Sequence, residues 1–318
     1  MPAEKPLLVI LGPTASGKTH LAVQIASALG GEIVSADSRQ VYREMNIGTG
    51  KDLEEYKIAG KPVPYHLIDI AEPGSQYNVN DFQHDFEEIH QHIVAKGRVP
   101  ILCGGTGFYI YALLKGHAYS SIPVNAPLRQ DLEQMPVEEL GQLFQKYQTE
   151  YQQLADTSTR KRLIRAIEIS EYLTAFPEAG GQFTKPGREQ QSIIFGLNPP
   201  VEIRRARISA RLEQRLASGL IEEVEQLLKK LSAEQLIYYG LEYKYITQYL
   251  IGEMDFAAMK ARLETEIHRF AKRQMTFFRK MEKDGLHIQW LGDESTEAEK
   301  VDFISKQYLA FSSATSRS

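Results

Sequence analysis

The sequence predicts an α/β fold: a mostly parallel sheet flanked by helices and interrupted by a helical insertion. Three observations carry this. An apolar run near the start leads through a glycine-rich loop into a helical pattern, short apolar runs then alternate with longer helical stretches, and the alternation vanishes between residues 116 and 191.

Leu7-Leu8-Val9-Ile10-Leu11 is apolar at every position, as a parallel strand covered on both faces must be. From Thr19 to Leu29 the residues Leu21, Ile25, Ala28 and Leu29 fall on one helical stripe. Further strands are expected at residues 32–36, 65–70, 101–103, 192–197 and 286–290. A crossover helix with Asn78 or Asn80 as its cap places Phe82, Phe86, Ile89 and Ile93 toward the sheet and stops at Lys96-Gly97. The insertion shows helical stretches at 128–134, 136–154 and 157–172, and a breaker-rich loop from Phe176 to Gly181, running on to Lys185-Pro186-Gly187, closes it. Past Pro199-Pro200 the pattern is helical over 202–231, 240–250 and 254–283, the last with Phe256, Met259, Leu263, Ile267 and Phe270 on one stripe. The polar stretch after Leu291 is expected to be frayed or disordered. The resulting division is 1–115 (core, first part), 116–191 (helical insertion), 192–292 (core, second part) and 293–318 (tail).

With 318 residues the chain can bury a large core. The net charge of −4, from 37 basic and 41 acidic residues, excludes a global positive field, so any nucleic-acid surface must be a local patch. Apolar runs are too short for a membrane span and no signal peptide is evident, so a cytoplasmic monomer without a membrane partner is expected. Cys103, the single cysteine, reads as a buried small hydrophobe at a strand end.

The loop Gly12-Pro13-Thr14-Ala15-Ser16-Gly17-Lys18-Thr19 meets every position of the phosphate-cradling P-loop pattern G-x-x-x-x-G-K-[ST]. Its glycines let backbone N–H groups turn toward an anion, the following helix start adds partial positive charge, and Lys18 adds a full one. Thr19 offers its hydroxyl to Mg²⁺. In open α/β sheets ligands bind beyond the carboxyl ends of the strands. There stand Asp37, a metal partner or general base that could equally be a local cap, and Gly104-Gly105-Thr106, a turn open to close backbone approach. Arg207, Arg211 and Arg215 share a helix face at intervals of four, a repulsive spacing better explained if a guanidinium meets an anion. Arg160-Lys161-Arg162 with Arg165, and Arg269, Lys272, Arg273 and Arg279, form two further basic clusters, each a solvated face or a phosphate-contact surface. The segment holding Tyr238, Tyr239, Tyr243, Tyr245 and Tyr249 suits core packing, with base stacking as the alternative.

Taken together and in order, the phosphate loop, Ser35-Ala-Asp-Ser-Arg-Gln-Val-Tyr42, Asn46-Ile-Gly-Thr49, His66-Leu-Ile-Asp-Ile70 and Gly104-Gly-Thr106 resemble the tRNA dimethylallyltransferase family. Lys161-Arg-Leu-Ile-Arg-Ala-Ile-Glu168, Arg207-Ile-Ser-Ala-Arg211, Gly219-Leu-Ile-Glu-Glu-Val224 and Ala271-Lys-Arg-Gln274 extend the resemblance over about residues 6–290. It implies a P-loop NTPase-like fold and transfer of a dimethylallyl group from dimethylallyl diphosphate to N6 of the adenosine 3′ of the tRNA anticodon, with Mg²⁺. The loop, Gly12 to Thr19, would hold the prenyl diphosphate rather than ATP. Lys18, Arg211 and Thr106 would contact it, Thr19 would hold Mg²⁺ and Asp37 would take the N6 proton. RNA contacts would fall on Asp37, Ser38, Arg39, Gln40, Thr106, Lys161, Arg162, Leu163, Ile164 and Arg165. The pattern departs at Gly240-Leu-Glu-Tyr-Lys244, where the family usually shows Gly-Tyr-Arg, and at Ile122-Pro-Val-Asn125, where an acidic residue is usual before the proline. No Cys/His finger follows the core, as in a bacterial-type enzyme. An adenylate isopentenyltransferase acting on AMP, a small-molecule kinase and a non-enzymatic RNA-binding module remain alternatives.

Overall fold

The computed structural model describes residues 5–116, 119, 121–178 and 187–315. The chain divides into two compact units, one of residues 1–114 with 188–318 and the other of residues 115–187.

In the first unit β1 (Leu7–Leu11) is central and wholly buried, and β2 (Gly31–Ser35) carries the second parallel run. A small antiparallel hairpin, β3 (Lys57–Ile58) and β4 (Lys61–Pro62), precedes β5 (Tyr65–His66). With β6 (Val99–Gly104), β7 (Ser192–Leu197) and β8 (Ile288–Leu291) the main sheet has six strands in the order β5-β2-β6-β1-β7-β8, every pair parallel. Parallel strands must be covered on both faces. One cover includes Phe82 and Phe86 of the helix Val79–Ala95 with Phe278 of Phe256–Lys283, and the other Leu21 and Ile25 of Lys18–Leu29 with Ile304 and Tyr308 of Glu297–Thr315.

Several expectations need correction. The strand expected over 65–70 ends at His66, because Leu67 (φ 60°) and Asp69 (φ 56°) adopt left-handed backbone that no strand tolerates. The helix expected over 202–231 breaks into Val201–Ala217 and Leu220–Leu228 at Gly219 (φ 96°). The tail is not frayed over its described length: Glu297–Thr315 is helical, its Ile304 and Tyr308 are buried, and the Tyr308 hydroxyl donates to the Pro6 carbonyl at 3.0 Å. Its pattern hides this, because only a thin apolar stripe interrupts the polar surface. Asn78, not Asn80, caps the crossover helix, its side chain accepting from the Asn80 N–H while Asp81 accepts from the Asn78 N–H.

In the insertion unit the helices are Ala126–Gln134, Val137–Gln145 and Arg160–Ala175, with a short 3₁₀ turn at Glu150–Gln153 where a continuous helix over 136–154 was expected. Asn125, in the segment that departs from the resembled family's pattern, caps the first of these by accepting from the Leu128 N–H at 3.2 Å. Leu132, Leu140, Leu163, Ile164 and Ile167 form one small core. Most of the breaker-rich loop lies outside the described residues, at 179–186, as do the last three residues.

Candidate active site

β1 delivers the phosphate loop. Gly17 (φ 85°) and Ala15 (φ 59°) take left-handed backbone, Ser16 N–H closes the turn on the Pro13 carbonyl at 3.3 Å, and the helix Lys18–Leu29 begins with no side-chain cap on its first amides. Those amides are the groups an anion would satisfy. The Ser16 hydroxyl is buried and has no hydrogen-bond partner among the described residues. Lys18 is half-buried, Nζ 3.4 Å from the Pro13 carbonyl; desolvation pushes its pKa below the ordinary lysine range, against the pull of Cys103 and Asp37. Burial also pushes the Cys103 thiol up to about 12, which fits a packing role.

β2 delivers Asp37, one of whose oxygens accepts from the N–H groups of Arg39 (2.9 Å) and Gln40 (3.4 Å). The local cap and the candidate base are therefore one residue: Oδ1 shapes the turn, and among the described residues nothing hydrogen-bonds Oδ2. β6 delivers Thr106, whose hydroxyl accepts from Ser38 N–H at 3.1 Å and so joins two loop ends. Arg211 and Arg215 reach in from the helix Val201–Ala217, paired with Asp52 at 2.8 Å and Glu242 at 3.2 Å.

These side chains line one cavity of about 640 Å³ that holds Lys18, Thr19, Asp37, Thr106, Arg211 and Arg215. Arg207, the third cation of that spacing, lines a neighbouring cavity with His20. Of the tyrosine segment, Tyr239 and Tyr243 are buried, as packing predicts, while Tyr238 is 46% exposed on the cavity wall with the Arg39 guanidinium 5.1 Å above its ring. Arg273 also lines the cavity.

For Mg²⁺ the residues fit an ion carried on ligand phosphate oxygens: Thr19 lines the cavity, and among the described residues no cluster of three or more His, Cys, Asp or Glu could hold an ion unaided.

Sequence reasoning missed the struts. Gln274 accepts from Thr14 N–H (2.8 Å) and donates to the Gly105 carbonyl (2.8 Å), tying the phosphate loop to the end of β6. Glu223 gathers the N–H groups of Asn46, Ile47 and Gly48 at 2.7–3.0 Å and the Tyr243 hydroxyl at 2.8 Å, while the buried Lys51 ammonium bonds Asp69, fixing the loop that carries Gly50 and Asp52. Both Gln274 and Glu223 sat inside motifs quoted above, but partners so remote in sequence leave no spacing signal.

Within the insertion, Leu163 and Ile164 are buried in its core, which corrects their expected part in RNA contact: on a helix, residues between exposed cations face inward. Arg165 donates to the Ile122 carbonyl at 2.6 Å and, with Arg129, meets the buried Glu168. Lys161 and Arg162 are exposed, Arg162 pairing with Asp156.

The model of the IPP transferase family matches residues 40–281. The chain belongs to that family. A second model, isopentenyl transferase, matches residues 5–62. A tRNA dimethylallyltransferase 1 of Azobacteroides pseudotrichonymphae is 52% identical over 91% of this chain and 93% of its own, and a tRNA dimethylallyltransferase 2 of Bacteroides fragilis is 48% identical over 96% and 98%. The crystal structure of a full-length tRNA isopentenylpyrophosphate transferase from Bacillus halodurans superposes with a TM-score of 0.71 at 30% identity, covering 99% of this chain and 98% of that one. A eukaryotic dimethylallyltransferase acting on tRNA shares the fold at TM-score 0.76 and 20% identity, over 96% and 80%. The AMP-prenylating and kinase readings are not favoured by relatives so named. Among the described residues no helix is long and apolar enough to cross a membrane.

Proposed function

We propose that this family member transfers the dimethylallyl group of dimethylallyl diphosphate to the exocyclic N6 of the adenosine immediately 3′ of the anticodon in tRNA, releasing diphosphate. The observation that carries the proposal is the convergence of a phosphate loop, a carboxylate with an unengaged oxygen and two arginines on one cavity. Adenine N6 is a weak nucleophile, so the barrier falls chiefly by stabilising charge that builds on the departing diphosphate. Lys18, the uncommitted N–H groups of the loop Gly12 to Thr19 at the helix start, and Arg211 would hold that diphosphate. Mg²⁺, held by Thr19 and phosphate oxygens, would supply further charge neutralisation when bound. The N6–C1 bond forms as the C1–O bond to diphosphate breaks, and Asp37 Oδ2 receives the N6 proton. Thr106 and Ser38, hydrogen-bonded to each other, border the same space.

A base cannot reach such a cavity from within a stack, so the adenosine must be turned out of the anticodon loop. Ser38, Arg39 and Gln40 on the cavity wall, with the exposed Lys161 and Arg162 of the insertion, are the proposed RNA contacts; Arg165, engaged by Ile122 and Glu168, orders the helix that carries them. The protein is proposed to act as a cytoplasmic monomer.

Labelled dimethylallyl diphosphate and Mg²⁺, offered to unmodified tRNA and to AMP in parallel, should label the tRNA alone. Label in AMP alone would overturn the acceptor assignment. Asp37→Ala should lower transfer by about 10²–10⁴-fold with the donor KM little changed; full activity would remove Asp37 as the base.

A further inference from the structure

Glu242 lies in the segment that departs from the family pattern, as the second residue of the helix Leu241–Leu250. Its carboxylate lines the cavity and stands 3.2 Å from Arg215, with each side chain under a fifth exposed. Burial pushes its pKa up, Arg215 opposes this, and Asp37 adds to it. A carboxylate here runs against a diphosphate site, where each negative charge weakens the ligand's hold.

The two arginines differ in how they are held. They sit one helical turn apart, where like charges repel. Asp52, the partner of Arg211, has a side chain 51% exposed, so solvent competes for that pair and an incoming anion can displace it. Arg215 is held on both sides: Glu242 takes one edge of the guanidinium, and the other lies against Gly50 (φ 66°), where a Cβ would collide with it. The Gly50 carbonyl in turn accepts from Gln40 at 3.0 Å.

We propose that Glu242 is a positioning residue that retains Arg215 on the cavity wall and offsets its charge, leaving Lys18 and Arg211 as the inner cations that grip diphosphate and so easing release of the product. The inference rests on reading the cavity as a diphosphate site. It needs no bond to form or break at Glu242.

The test compares the wild type with Glu242→Gln, which keeps the shape and an oxygen for Arg215 but removes the charge. Inorganic diphosphate with Mg²⁺ is titrated by calorimetry, and its inhibition of prenyl transfer to tRNA is measured beside it. Both constants should fall about tenfold in the variant, the loss of one nearby unit charge in a partly screened cavity, with the donor KM falling and the tRNA KM unmoved. Glu242→Asp, which keeps the charge, should restore the wild-type constants. The double variant Glu242→Gln with Arg215→Gln, whose net charge matches the wild type, should bind diphosphate within about threefold of it. A purely structural Glu242 would give weaker binding in every variant together with a lowered melting temperature. Unchanged or weaker diphosphate binding in folded Glu242→Gln, or the full tenfold gain persisting in the double variant, overturns the inference. If the wild type binds diphosphate but labels no tRNA, the functional reading fails while the calorimetric comparison still stands.

Discussion

Two arginine rows look alike in this sequence and end in different places. One, on the helix Val201–Ala217, turns Arg211 and Arg215 into the cavity, each opposed by a carboxylate at the cavity wall. The other, on Arg160–Ala175 of the insertion, sends Arg165 to the Ile122 carbonyl and the buried Glu168, leaving Lys161 and Arg162 outside. A cation row therefore says little until its counter-charges are known. An exposed carboxylate that a ligand can replace marks a binding arginine, and a buried carboxylate shared by two arginines marks a structural one.

The comparison can be broken in four places. Arg211→Ala should cost about 10³-fold in kcat/KM, roughly 4 kcal/mol, with the melting temperature little changed; a stability loss without that kinetic loss would make Arg211 structural. Glu168→Ala, which leaves Arg129 and Arg165 without their buried partner, should destabilise the insertion by about 3 kcal/mol while the diphosphate affinity stays at the wild-type value, as denaturant melts and calorimetry would show. The third contrast is pH. Burial lowers the Lys18 pKa, and a bound anion would raise it. Diphosphate affinity should thus be full below the lowered pKa and decline as pH rises through it, by up to about tenfold per pH unit, with Lys18→Arg shifting the decline to higher pH. Pairs in the insertion should show no such slope. The smallest effect belongs to Lys161→Ala with Arg162→Ala: tRNA KM should rise a few-fold, about 1 kcal/mol, and the salt dependence should shallow by about one phosphate contact per cation, with donor KM constant.

Glu242 sharpens the same contrast from the other side. It is a half-buried carboxylate facing a cavity, where Glu168 is fully buried in a core, so its removal should strengthen ligand binding where removal of Glu168 weakens the fold.

What was legible in the sequence depended on how local its cause is. The phosphate loop is eight consecutive residues whose conformation follows from glycine and a helix start, and the centre of the sheet follows from runs such as Leu7 to Leu11, apolar at every position. Capping of the crossover helix and the inward stripe of Phe82 and Phe86 are equally local. By contrast Leu67-Ile-Asp-Ile70 reads as a continuation of the strand and folds as a loop, because Asp69 answers to the buried Lys51 and to the Gln40 carbonyl rather than to its neighbours. The final helix reads as tail because its two buried anchors, Ile304 and Tyr308, act only once the sheet offers a face to cover. Sequence alone determined the strand, loop and helix of the phosphate-loop pattern and the order of the motifs around it, since those depend on backbone preference and periodicity. Only the tertiary structure decided which arginines face the cavity, which carboxylates oppose them and that Gln274 and Glu223 hold the loops in place, because each of those depends on which side chains meet across long stretches of chain.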